Sequence, residues 1–132
     1  MKRNYHCPWC DGNLNPNVKI ILKAERAGHA ALVLFSPQPG NFHVIMPESF
    51  KVKKRDEIRF SCPLCSRDLT SKRDPTKAQI RFVGPAGQSG VTVFSRIYGH
   101  HETYFVTNEE VRSYGENAGP AGINYWGAGP KD

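Results

Sequence analysis

Tyr5-His6-Cys7-Pro8-Trp9-Cys10-Asp11-Gly12-Asn13-Leu14 and Phe60-Ser61-Cys62-Pro63-Leu64-Cys65-Ser66-Arg67-Asp68-Leu69 are two copies of one pattern. Both read aromatic-x-Cys-Pro-apolar-Cys-x-x-x-Leu, and the second follows the first at an offset of 55 positions. The repeat is too short for a solenoid unit. It suits two knuckles, each a tight turn that closes around a metal ion with its flanking apolar residues packed beneath. Two cysteines separated by two residues can aim at one centre, and the proline between them helps fix the turn.

All four cysteines of the chain fall into these two pairs. Four thiolates in a 2 + 2 arrangement suit zinc, because a d¹⁰ ion accepts a tetrahedron of sulfur ligands without geometric penalty. Cys7, Cys10, Cys62 and Cys65 are therefore expected to share one structural ion, with iron as the alternative that the same ligand set admits. A four-thiolate site has no position left for a catalytic water. The competing reading is a pair of C-x-x-C redox motifs. Such motifs usually start a helix, where one thiol is acidified, whereas strand-like sequence surrounds both pairs here.

On these knuckles the chain resembles the zinc-ribbon class, in which two Cys-Pro-x-Cys turns on β-hairpins share one metal. The resemblance covers Cys7-Pro8-Trp9-Cys10, Cys62-Pro63-Leu64-Cys65 and their flanks, about 20 residues. It implies a structural metal, while the class hosts too many tasks to imply a function. Two features depart from it. The 51 residues between Cys10 and Cys62 exceed what a compact ribbon carries, so they are expected to form an inserted sheet. Neither Cys10 nor Cys65 is followed directly by glycine.

Strand signals fill the interval. Val18, Ile20, Leu22 and Ala24 alternate with Lys19, Ile21, Lys23 and Glu25, the period-2 pattern of a half-buried strand. Ala27-Gly28 interrupts it, and the apolar run from Ala30 to Phe35 predicts a second hairpin strand buried on both faces. Pro37-Gln38-Pro39-Gly40 reads as a turn, Phe42 to Met46 as a short strand, and Ile58 and Phe60 lead a strand into the second knuckle. Beyond a polar loop at Ser71 to Thr76, Ala78, Ile80 and Phe82 alternate with polar residues. Val91 to Tyr98 and Glu102 to Thr107 predict a C-terminal hairpin. Asn108, Glu109 and Glu110 followed by Gly115 predict one short helix. The expected fold is mainly β: one zinc-stapled domain over residues 1–114, then a Gly/Pro-rich tail over residues 115–132. Within that tail Tyr125 and Trp126 are candidate anchors for a partner.

Charge bears on partners. The chain carries a formal +6, unevenly placed. Residues 1–81 hold fifteen Lys/Arg against seven Asp/Glu, and the remainder holds three against five. Lys51-Val52-Lys53-Lys54-Arg55 is the densest basic run. It is a candidate phosphate-contacting strip, with Lys72 and Arg73, then Lys77 and Arg81, as extensions. The plainer reading is a solvated edge that lysines keep from pairing with other sheets. His100-His101-Glu102 is expected to form a turn after Gly99 rather than a second metal site or an acid–base pair, since adjacent strand residues point to opposite faces.

No apolar stretch approaches the ~20 residues of a membrane helix, and no apolar segment follows the charges at Met1-Lys2-Arg3. With free thiolates, these features lead to the expectation of a cytoplasmic protein. No nucleophile elbow, Walker loop or dinucleotide fingerprint is present. The leading expectation is a non-enzymatic adaptor that presents a rigid surface to a macromolecular partner, most simply a protein. The second is an RNA- or DNA-binding, or ribosome-associated, protein using the basic strip. The third is an accessory subunit of an enzyme.

Overall fold

A computed structural model describes residues 3–118. Tyr125 and Trp126 lie outside the described residues. Nine strands form two antiparallel sheets, and among the described residues there is no helix.

The first sheet has the order β4-β3-β2-β5: β2 (Ile20–Arg26), β3 (His29–Phe35), β4 (Val44–Ile45) and β5 (Arg59–Ser61). The second has the order β1-β6-β7-β8-β9: β1 (Asn4–His6), β6 (Lys77–Val83), β7 (Ser89–Ser95), β8 (Thr103–Val106) and β9 (Val111–Tyr114). The sheets exchange their knuckle strands. β1, which enters the first knuckle, pairs with β6 beyond the second, placing Tyr5 opposite Phe82. β5, which enters the second knuckle, pairs with β2 beyond the first, placing Phe60 opposite Ala24. The expected insertion is thus one of two similar halves, each completed by a strand from the other.

The alternating residues of β2 do what their period requires: Ile20, Leu22 and Ala24 are buried. The β2–β3 turn takes Ala27 and Gly28 into positive φ (52° and 83°), the two-residue turn whose twist suits a hairpin. β3 departs from expectation. Val33 alone in it is fully buried, and Leu32 is 56% exposed, because the strand has a sheet on one face only. Its apolar run therefore does not signal burial on both sides.

The expected C-terminal helix is also corrected. Thr107 Oγ1 accepts the amides of Glu109 and Glu110 at 3.2 and 3.1 Å, and the Thr107 amide donates to the Glu110 carbonyl at 2.9 Å. This turn sends the chain straight back, so Val111–Tyr114 becomes β9 and pairs with Thr103–Val106. A threonine that satisfies the amides of a tight turn outcompetes the helix start that the asparagine and glutamates favour. The anticipated hairpin is accordingly a meander of three strands, β7 to β9.

The core lies between the sheets. Phe35, Phe60 and Phe94 meet with ring centroids 5.4–5.7 Å apart. Tyr5, Leu14, Leu69 and Ile80 are buried around the knuckles, and the Tyr5 hydroxyl donates to the Pro37 carbonyl at 2.7 Å. A smaller cluster of Val93, Tyr104 and Val106 covers the other face of the second sheet. Gly90 permits the close approach of β8: a Cβ there would stand 2.0 Å from the Val106 carbonyl oxygen. Gly90→Ala is expected to lower the unfolding free energy by about 1–3 kcal/mol through overpacking. Chemical denaturation checks this, and an unchanged midpoint would mean that the two strands do not lie so close.

Candidate metal centre

Each knuckle is built by the same hydrogen bonds. In the first, the Cys7 amide donates to Gly12 O at 3.0 Å and the Asp11 amide to Cys7 O at 2.9 Å. In the second, the Cys62 amide donates to Arg67 O at 3.0 Å and the Ser66 amide to Cys62 O at 2.8 Å. The chain then returns beside its own entry strand, with bridges His6–Asn13 and Ser61–Asp68. The turn forces Asp11 and Ser66 into left-handed backbone, at φ 61° and 65°. These are the two positions that follow the second cysteine of each pair, where glycine would sit without strain. Aspartate and serine fill it at a modest steric cost.

The four sulfurs converge. One atom from each of Cys7, Cys10, Cys62 and Cys65 lies within 4.8 Å of the other three. Two of the separations run between the knuckles at 3.7 Å: Cys7 Sγ–Cys65 Sγ and Cys10 Sγ–Cys62 Sγ. Four sulfurs placed tetrahedrally at about 2.3 Å from a common ion stand about 3.8 Å apart. The donor set therefore fits a four-thiolate metal site. Two separate redox pairs would not bring all four sulfurs together in this way, and all four cysteines are free.

Backbone amides also point at the sulfurs. Trp9 N reaches Cys7 Sγ at 3.3 Å, Leu64 N reaches Cys62 Sγ at 3.3 Å, and Gly12 N reaches Cys10 Sγ at 3.4 Å. Such donors favour thiolate, the form that binds metal. Without an ion, however, burial pushes the Cys7 thiol up to about 12 and raises Cys62 as well. Cys65 is lowered, chiefly by the backbone amide of Arg67. A positive ion at the centre relieves the burial of charge at Cys7 and Cys62.

The knuckle tips interlock. A Cβ on Gly12 would lie 2.3 Å from Leu64 Cδ1, so Leu64 of the second turn rests on Gly12 of the first. Trp9 of the first turn rests on the second in the matching way. Its indole Nε1 donates to Asp68 O at 3.2 Å, and the Arg67 guanidinium lies 5.2 Å from its ring centroid. Lys72 Nζ lies 5.6 Å from the same ring. Trp9 nevertheless stays 48% exposed and Leu64 64% exposed. A groove of about 520 Å³ runs beside Trp9 and is lined by Lys72, Arg73, Gln79 and Val91 among others. Sequence reasoning missed Trp9, Leu64 and Arg67 as surface features. The signal for Trp9 and Leu64 was the variable position of each Cys-Pro-x-Cys turn; Arg67 follows two residues after the second turn.

The basic positions separate in space. Lys72 and Arg73 border the Trp9 groove. Lys51, Lys53, Lys54 and Arg55 are exposed on a loop rather than an edge strand, and that loop is tied by the Arg55 amide to Tyr98 O at 2.9 Å. Of the extensions, Arg81 is ion-paired with Asp11. Lys77 is buried between Asp74 and Glu102, at 3.1 and 3.0 Å. Burial alone would lower the Lys77 pKa, and the two carboxylates outweigh it and raise it. Lys77 is a structural cation, not part of a phosphate strip. His100 and His101 diverge as expected: His100 Nε2 meets Glu102 at 3.2 Å, while His101 stacks on Phe42 at 4.6 Å and meets Glu116 at 3.1 Å.

No protein-family model matches the chain, and no curated protein or solved structure is similar to it. No helix among the described residues is long and apolar enough to cross a membrane.

Metal uptake must displace protons from Cys7 and Cys62, whose thiols are held protonated by burial. Affinity is therefore expected to fall on acidification, by roughly tenfold per pH unit for each proton displaced. Cobalt loading, followed through the thiolate charge-transfer absorption between pH 8 and pH 5, checks this. Absorption independent of pH would exclude these thiols as ligands. Cys62→Ser or a strong chelator is expected to unfold much of the domain by circular dichroism, because structural zinc supplies about 10–16 kcal/mol in finger peptides.

Proposed function

We propose that this chain is a non-enzymatic interaction module of zinc-ribbon type, whose zinc holds two apolar knuckle tips on one rigid face for a macromolecular partner. The observation that carries it is the exposure of Trp9 and Leu64, at 48% and 64%, at equivalent positions of two turns clamped to one centre. Large apolar side chains are costly to leave in water, and aromatic residues on a rigid support are what binding hot spots are made of. Zinc is preferred over iron because it needs no redox role and imposes no geometry of its own. The reading as a non-enzyme is supported by ligand saturation: four thiolates leave a tetrahedral ion no position for water or substrate.

A protein partner is the leading reading. A second reading, single-stranded RNA or DNA, is favoured by Trp9 lying between Arg67 and Lys72. An exposed indole flanked by cations offers a base a stacking surface and its phosphates a counter-charge. The Trp9 groove, rather than the loop at residues 51–55, is then the place where base and phosphate contacts combine.

Trp9→Ala and Leu64→Ala, made singly in the zinc-loaded protein, separate these readings. Both are expected to keep metal content and circular dichroism unchanged. With a protein partner, each abolishes its capture from a lysate of the source cells. With nucleic acid, anisotropy of a labelled oligouridylate shows binding that weakens steeply with salt. Trp9→Ala then weakens it by roughly ten- to a hundredfold, and Leu64→Ala does so far less. If neither substitution alters binding of any kind, the knuckle face is not the contact surface.

A further inference from the structure

The inner faces of the two sheets leave a cavity of about 620 Å³, within the roughly 300–1,000 Å³ of small-molecule sites. Its floor is the core itself, where Leu22, Ala24, Val33, Phe60 and Ile80 are buried, and its open walls are the half-buried Phe35, Met46, Phe94 and Tyr98. The β3–β4 loop, pinned by the Tyr5–Pro37 hydrogen bond, and the β7–β8 loop form its mouth.

One group in this cavity has a need the protein does not meet, and a second stands free at its mouth. Thr92, on β7 between Ile80 and Phe105, is 4% exposed and lines the cavity. Its hydroxyl has no hydrogen-bond partner among the described residues. A buried hydroxyl both donates and accepts, and leaving it unpaired is costly. Lys54 is the second group. Its side chain passes Gly99 at the mouth, and it has no ion-pair partner among the described residues. Glu102 meets Lys77 at 3.0 Å, and Arg96 meets Glu57 at 3.7 Å and donates to Ile58 O at 2.9 Å. Glu116 lies at the rim, 3.1 Å from the His101 ring and 75% exposed. Lys54 is the cation of the mouth with no carboxylate beside it among the described residues.

We propose that the cavity between the sheets is a small-molecule site for a flat, largely apolar ring compound with one internal hydrogen-bonding oxygen and one anionic group. The oxygen pairs with Thr92, the ring system lies against the aromatic cluster, and the anion sits at the mouth beside Lys54. This site is independent of the knuckle face.

The test uses the full, metal-loaded chain and three probes: 6-hydroxy-2-naphthoate, 2-naphthoate and 2-naphthol. Binding is measured by titration calorimetry and located by amide chemical shifts. The expected result is one-to-one binding, tightest for the hydroxy-acid, with shifts at Ala24, Phe60, Ile80 and Phe94. Thr92→Val keeps the side chain's shape and is expected to hold the melting temperature or raise it. It should erase the advantage, roughly three- to tenfold, of 6-hydroxy-2-naphthoate over 2-naphthoate. Lys54→Met should erase the advantage of 6-hydroxy-2-naphthoate over 2-naphthol while leaving the first difference in place. No saturable binding at millimolar probe overturns the proposal. So do shifts confined to the Val93–Tyr104 face or the knuckles, or affinities that neither substitution changes.

Discussion

Sulfur atoms 3.7 Å apart, drawn from turns 55 residues distant, set the position of almost every other element. The strand entering each knuckle is paired with the sheet that follows the other knuckle. Neither half closes its own sheet, and neither supplies all four cysteines of the cluster. The cluster stands where the halves cross, beside the pairing of β1 on β6 and of β5 on β2. Whole-domain stability is typically about 5–15 kcal/mol, the same size as the binding energy of one structural zinc. A chain of this length has a core of its own, formed by Phe35, Phe60, Phe94 and their neighbours. An ion held by the four cysteines would tie that core to both halves at once.

The duplication also explains why the tips are exposed. Equivalent residues pack at equivalent places: Tyr5 with Phe60, and Leu14 with Leu69, are all buried beneath the turns. At the tips the equivalence breaks. Gly12 leaves room for Leu64 to lie across it, whereas its counterpart Arg67 spreads under the Trp9 ring. The result is one face with an aliphatic end and an aromatic, cationic end. A symmetric pair of knuckles would present two similar contacts. This pair presents two different ones.

Much of this was legible in the sequence because it follows from local rules. The alternation in Ile20 to Ala24 and in Ala78 to Phe82 located β2 and β6, Ala27-Gly28 located the turn from β2 to β3, and the repeated Cys-Pro-x-Cys located the four clustered cysteines. The errors arose where a distant partner or one side-chain hydrogen bond decided the outcome. Thr107 turned an apparent helix start into a hairpin. Leu32 sits in an apolar run yet is exposed, since such a run does not say whether a second sheet covers it. Lys77 looked like one more surface cation until Glu102, 25 residues later, met it in the interior. The exchange of strands left no periodic trace at all.

Charge gives the clearest case of what a linear reading misses. The basic residues of the first 81 positions looked like one strip because they are near in sequence. The fold distributes them among three roles. Lys77 and Arg81 are consumed by acidic partners, Lys72 and Arg73 border the indole of Trp9, and Lys54 stands at the mouth of the cavity between the sheets. Counting cations thus overstates how strongly any single surface attracts a polyanion. What matters at each place is the company the charge keeps. Beside Trp9 it adds to a flat π surface, and beside the cavity it adds to an apolar interior with an unpaired hydroxyl. The same residue type therefore stands in two chemically different settings, one beside an exposed indole and one beside a buried apolar interior.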